Sequence, residues 1–225
     1  MPLLGRAAVA MWWDVDAAQR AEFAHWHSHE HFPERMQIPG FLRGSRWRST
    51  AGDDGYFVLY ELATYEILTS PHYVARLNDP TPWSTKMMPH HRNMVRSQCR
   101  VAASFGGGVA ANMLTIRLRP APGRSEALHG HLDELLFHLA PRAGFTGAHL
   151  LQTETPAAAM TKEQRIRGGD AVADWIVLVS GYDAQALHDL TRNECEPDVL
   201  LGAGAGGELK TTLGRLSYTM TPSDL

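Results

Sequence analysis

The chain has 225 residues, of which 44% are hydrophobic and 20% charged, and a formal net charge of −3. That is room for one large domain or two of about 100 residues, with the composition of an ordinary globular core. A nucleic-acid footprint needs clustered Lys and Arg, and a bilayer-crossing helix needs about 20 consecutive apolar residues; the sequence has neither.

The N-terminal segment runs straight into Trp12-Trp13-Asp14 after a short apolar stretch. A signal peptide would need a longer one, so residues 6–14 read as a first strand. Asp16 with Gln19 three positions on is a capping-box pattern, and it predicts a helix over 17–31. Pro33 lacks the amide hydrogen that a helix interior uses and should end or kink it. Pro39-Gly40 is a turn signal, 41–50 a second strand, Asp53-Asp54-Gly55 a hairpin turn and 56–62 a third strand. A helical region follows over 64–77, with Ser70-Pro71 as a fresh start inside it. Thr81-Pro82 opens a short helix to Met88. Residues 94–104 form a fourth strand. Beyond it come strands at 111–119, 145–153, 173–182 and 209–220, and helices at 124–139 and 184–192. Residues 155–170 read as a polar loop and Gly202–Gly207 as a flexible turn. Cys99 and Cys195 have neither metal-type spacing nor a disulfide framework, which predicts a reducing, cytoplasmic setting. Cys99 reads as a buried small hydrophobe, and the acidic neighbours of Cys195 argue against a nucleophile.

The order of elements repeats. His25 meets His129, His27 meets His131, Glu30 meets Glu134, and Gly40-Phe41 meets Gly144-Phe145. After an extra stretch in the second half, Val58-Leu59 meets Val177-Leu178. Each half reads β-α-β-β-α-β, the ferredoxin-like motif, with helices on one face of an antiparallel sheet. The fold class is therefore α+β, a tandem repeat whose two sheets pack into an α/β barrel with helices outside. Residues 1–104 form the first half, 105–110 a Gly-rich linker and 111–225 the second. The barrel is self-contained in one chain or belongs to a homodimer.

Twelve histidines stand out, four of them (His25, His27, His29, His31) within one short run. On a helical wheel, His27 and Glu30 lie within about 60° of Phe23, on the inward face, with His31 at its edge. Inward polar groups need partners; Trp26, Arg46, Trp47, Tyr60, Trp83 and His90 are the candidates to line a site with them, roofed by Met87 and Met88. Three chemistries are open. His27 or His31 transfers a proton while Glu30 orients the ring. His27 and His31 share a metal with Glu34 or His90, although no HExxH pattern is present. Or the cluster only caps a helix and ties the halves together.

The run Trp26-His27-Ser28-His29-Glu30-His31-Phe32-Pro33-Glu34-Arg35, followed by Ile38-Pro39-Gly40-Phe41, resembles the dimeric α/β-barrel superfamily, in particular its EthD-like and antibiotic-biosynthesis-monooxygenase-like members. So does the later run from Ser70-Pro71 through Pro82-Trp83 to Met88-Pro89-His90. The resemblance covers 1–104 and reaches 110–220 only at the level of the fold; the second half lacks the Pro-Glu element. It implies a ligand cavity between sheet and helices, with His31 at that cavity. It also implies enzymes of several kinds, including cofactor-free oxygenases, isomerases, lyases and haem-binding enzymes. The expected function is a cofactor-independent enzyme acting on a small, partly hydrophobic, aromatic or polyketide-like molecule by His-mediated proton transfer. In it Arg46 would hold a carboxylate or enolate oxygen. The alternatives are a haem-dependent protein and a non-catalytic small-molecule scaffold.

Overall fold

The computed structural model describes residues 3–154 and 160–225. Eight strands alternate with helices in the order β1 Ala7–Asp14, α1 Arg20–Trp26, α2 Phe32–Met36, β2 Phe41–Ser49, β3 Gly55–Leu62, α3 Pro71–Asn78, α4 Pro82–Met87, β4 Arg92–Gly106. The second half continues with β5 Asn112–Pro120, α5 Ser125–Leu139, β6 Phe145–Thr153, α6 Lys162–Arg167, β7 Trp175–Gly181, α7 Ala184–Arg192, α8 Pro197–Ala203 and β8 Ala205–Met220. The strands close into one antiparallel barrel in the order β1-β3-β2-β8-β5-β7-β6-β4. Each set of four has the ferredoxin-like order, and the two sets join reciprocally: β2 pairs with β8, and β4 with β6. One chain therefore makes both seams of a pseudo-dimer.

Strand alternation assigns the faces. Ala8, Ala10 and Trp12 of β1 point into the barrel; Ala7, Val9 and Trp13 point out toward the helices. The interior is filled by aromatic and aliphatic side chains. Phe57 stacks on Trp12 at 4.8 Å and on Trp47 at 5.5 Å, and Leu59, Leu151 and Leu178 complete the packing. Trp12 Nε1 donates to Thr115 Oγ1 at 3.1 Å, which satisfies the one polar atom of that ring inside the barrel. The barrel centre is a core, and any site must lie outside it, between sheet and helices.

Several boundaries differ from the sequence expectation. Asp16 makes no side-chain cap; its carboxylate pairs with Arg92 at 2.7 Å instead. The first helix does not stop near His31. It widens into a π turn over His27–His31 and continues as α2. The Phe32 N–H reaches the His27 carbonyl five residues back. Pro33, next in line, has no N–H to give and its ring would crowd a carbonyl one turn earlier, so the wider turn accommodates it. The glycine-rich 202–207 segment is not a flexible turn: it is the end of α8 and the start of β8. The expected polar loop 155–170 contains α6, whose Thr161 and Gln164 form a capping box; residues 155–159 of that loop lie outside the described residues. Among the described residues, no helix is long and apolar enough to cross a membrane.

The two halves fill their sheet–helix layer differently. In the second half, α5 presents Leu128, Leu132, Leu136 and Leu139, all fully buried against β5, β6 and β7. In the first, the equivalent layer holds Phe23, Trp26, His27, His31, Phe32 and Arg35.

Candidate functional site

The π turn makes the site. Because it is wider than an α turn, residues four apart come close to register, and His27 and His31 stack with ring centroids 5.2 Å apart. Both are buried, at 1% and 7% exposure. Phe32 packs edge-on to His27 at 4.6 Å, and Trp26 lies 4.7 Å from His31. His91, at the start of β4, completes a cluster: its ring is 4.9 Å from Trp13 and 5.7 Å from Trp26.

These rings surround a cavity of about 30 Å³. A water needs about 10–15 Å³, so the cavity has room for about two. Its floor is the outer face of the sheet, with Val9, Met11 and Trp13 of β1 and Tyr60 of β3. Met88 and Leu77 close one side, and Arg35, Arg96, Glu163 and Arg167 form a charged roof. Two of the four, Glu163 and Arg167, come from the second half: α6 reaches across to the first and packs on α3 and on the turn at Met88–His90. Arg35 donates to Glu163 at 2.5 Å, Arg167 holds Asp170 through two bonds of 3.2 and 2.9 Å, and the backbone of Lys162 donates to Asn78 at 3.0 Å.

Five polar groups on the cavity wall have buried atoms with no hydrogen-bond partner among the described residues. They are Nδ1 of His27, Nδ1 of His31, both ring nitrogens of His91, the Tyr60 hydroxyl and Nη1 of Arg35. Burial pushes the three imidazoles down. His27 falls well below its ordinary 6.5, through desolvation and then the positive charge of Arg46. His31 falls likewise, through desolvation and then Arg35. His91 is pushed down to about 3, mainly by desolvation. All three are neutral at pH 7, and burial raises the Tyr60 phenol, which stays protonated.

The structure redistributes the residues proposed from sequence. His27, His31 and Tyr60 line the cavity. Trp26 backs it and donates its indole N–H to Glu30 at 3.0 Å. Among the described residues, Glu30 makes no hydrogen bond to a histidine. Its carboxylate accepts from Trp26, from Thr81 at 2.6 Å and from Ser84 at 3.4 Å, and so fastens α4 to the π turn. Arg46 and Trp47 are neighbours on β2 and point to opposite faces; Trp47 is in the barrel interior and contributes nothing to the site. Arg46 is on the helix side but behind His27, bonded to Ser28 and Ser217 at 3.1 Å each, so it does not reach the cavity. Trp83 lies outward against His25 and donates to Glu22. Of the adjacent pair, His91 faces the cavity and His90 does not. Arg35, Tyr73, Arg96, Glu163 and Arg167 line it too, and sequence reasoning missed them. The extra stretch between the repeats' strands was the signal for the last two. Among the described residues, no group of three or more His, Cys, Asp or Glu is placed to hold a metal ion, so His27 and His31 are not joined by Glu34 or His90. Both cysteines are buried, and burial pushes each thiol up to about 12.

No family model matches the chain, and no curated protein sequence matches it. Solved structures do match over nearly the whole length. An anthrone oxidase-like protein superposes with a TM-score of 0.63 at 12% identity, covering 96% of this chain and 93% of its own. A provisionally assigned monooxygenase of Fusobacterium nucleatum subsp. nucleatum gives 0.64 at 7% identity, covering 97% and 96%. A provisionally assigned chlorite dismutase gives 0.52 at 14% identity, covering 95% of each chain. At such identities the likeness is one of fold. The closed barrel of two ferredoxin-like halves, made here by a single chain, is therefore a fold that this chain shares with these proteins over 95–97% of its length.

Proposed function

We propose that the chain is an enzyme that moves a proton on a small, largely apolar, enolisable aromatic molecule, without a cofactor. The observation that carries this reading is the convergence of three neutral imidazoles with unpartnered nitrogens on one cavity walled by aromatic rings. Nitrogens left unpaired in a core cost stability, about 1–3 kcal/mol each, and such groups call for an explanation. A neutral imidazole accepts a proton from an acidic C–H or O–H. The anion so formed lies beside the new imidazolium in a low-dielectric space, where the pair stabilise each other strongly. The Tyr60 hydroxyl and the free Nη1 of Arg35 are the donors available to the developing oxyanion. His27 or His31 is the base in this reading, and His91 a proton relay or second base. The likeness in fold to the anthrone oxidase-like protein supports the choice of an aromatic ketone as substrate class.

A haem does not fit this layer. The helix face and the sheet touch through aromatic rings, Phe23 to Tyr56 at 4.8 Å and Phe32 to Tyr60 at 5.4 Å. No slot is left between them for a macrocycle.

The test is exchange of the α-protons of 2-tetralone and of anthrone into deuterated water, followed by NMR. The protein should accelerate exchange, and His27→Ala or His31→Ala should slow it by about 10²–10⁴-fold. No acceleration on either ketone, or unchanged rates in both variants, would overturn the reading.

A further inference from the structure

The roof of the cavity is charged in a way that proton transfer alone does not use. Three guanidinium groups line it, Arg35, Arg96 and Arg167, against one carboxylate, Glu163. Asp170 holds Arg167 from outside. With the histidines neutral, one positive charge is left without a partner. Arg96 makes its side-chain bond to the Tyr73 hydroxyl at 2.5 Å, not to a carboxylate. Arg35 is 3% exposed and uses Nη2 for Glu163, while Nη1 is buried and unpartnered. A guanidinium presents its N–H groups as a planar fork that matches a carboxylate, so an orphaned Nη1 beside an occupied Nη2 marks half of a two-point site.

We infer that the ligand carries a carboxylate, and that Glu163 on α6 occupies the place of that group on Arg35 until the ligand arrives. The inference rests on the reading of this cavity as the ligand site and narrows its substrate class to aromatic acids. The carboxylate of Glu163 lies 2.5 Å from Arg35 and 3.6 Å from Arg167, both essentially buried. A ligand acid competes for the same fork while Glu163, released from Arg35, keeps Arg167 as its partner on α6, so the acid adds the charge that the cluster lacks. The element that must yield is suited to yielding. α6 has six residues and meets the first half through the Arg35–Glu163 ion pair, the Lys162–Asn78 hydrogen bond and Ile166 packed on the apolar core. Elements with few buried apolar contacts open at the least cost. Displacing Glu163 would therefore both seat the acid and lift the roof over the histidines.

Calorimetric binding of 2-naphthoate and 2-naphthamide to the full chain tests this, because the two probes differ in charge and hardly in shape. The acid should bind at least about tenfold tighter than the amide, a difference of about 1.4 kcal/mol. Glu163→Gln should raise the affinity for the acid by a larger factor than that for the amide, and Arg96→Gln should shrink the preference. If Glu163→Gln does not fold, Glu163→Asp, whose shorter arm reaches Arg35 less well, is read in the same way. Equal binding of the two probes, no binding of the acid at millimolar concentration, or a position 163 variant with no added preference for the acid would each overturn the inference. Amide binding and ketone exchange without acid preference would sink this inference alone and leave proton transfer standing.

Discussion

At the scale of single residues, the buried imidazoles tie the site to the acid stability of the protein. His27, His31 and His91 are all held below their ordinary 6.5, as is His149, pushed down to about 4 by burial beside Arg43 in the barrel wall. The unfolded chain binds protons on these rings at pH 6.5 and below, while the folded chain does not. Their contribution to stability is therefore complete above pH 6.5 and is lost as pH falls toward the folded values. Each ring takes away up to about 1.4 kcal/mol per pH unit in that window. Urea unfolding at pH 7, 6 and 5 should show a steep loss, and His91→Gln should reduce the slope near pH 5 by about one proton. An identical slope in the variant would mean that His91 takes up its proton in the folded state. The same residue shows where sequence reading runs out. His90 and His91 are adjacent, and only the way the chain enters β4 decides which of the two turns inward. Arg46 and Trp47 present the same ambiguity, which strand alternation resolves only once one face of β2 is known to be barrel interior.

At the scale of elements, the close approach of α2 to β2 sets the depth of the cavity. A Cβ added at Gly44 would lie 2.4 Å from the Phe32 ring and 2.8 Å from that of Tyr60. Gly44→Ala must push Phe32 toward His27 or lift α2, and should cost about 1–3 kcal/mol in urea unfolding. A variant as stable as the wild type would show that the helix is free to shift. The strands and most helices were legible, because alternation, Pro and Gly punctuation and the repeat all pointed the same way. The π turn was not. Its residues have no signature apart from Pro33, and a wheel drawn for an α helix misplaces everything past His27. α6 was also missed, because a short polar helix held by one tertiary ion pair and one within itself reads as a loop. The consequence for function was larger than for the fold, since α6 supplies Glu163 and Arg167 of the charged roof.

At the scale of the whole molecule, the duplication divides labour. One half keeps the cavity, the other fills its own layer with leucine and lends α6 to the cavity's roof, and a single chain achieves an arrangement that identical subunits could not. The duplication itself was legible from spaced His, Glu and Gly-Phe matches, and with it the barrel. Which half would be hollow was legible only in part, from the polar run ending at Arg35. The reciprocal seams between the halves also determine the order of assembly. The β2–β8 seam joins residues as far apart as Arg46 and Ser217, 171 positions along the chain. Such distant pairings form slowly. Until β8 arrives, β2 and β5 present open edges to any other chain with a free β8. Refolding at high concentration should therefore yield dimers in which two molecules have exchanged their last strand, visible by size-exclusion chromatography and absent at low concentration. The geometry that lets one chain imitate a dimer also leaves it one strand away from becoming a real one.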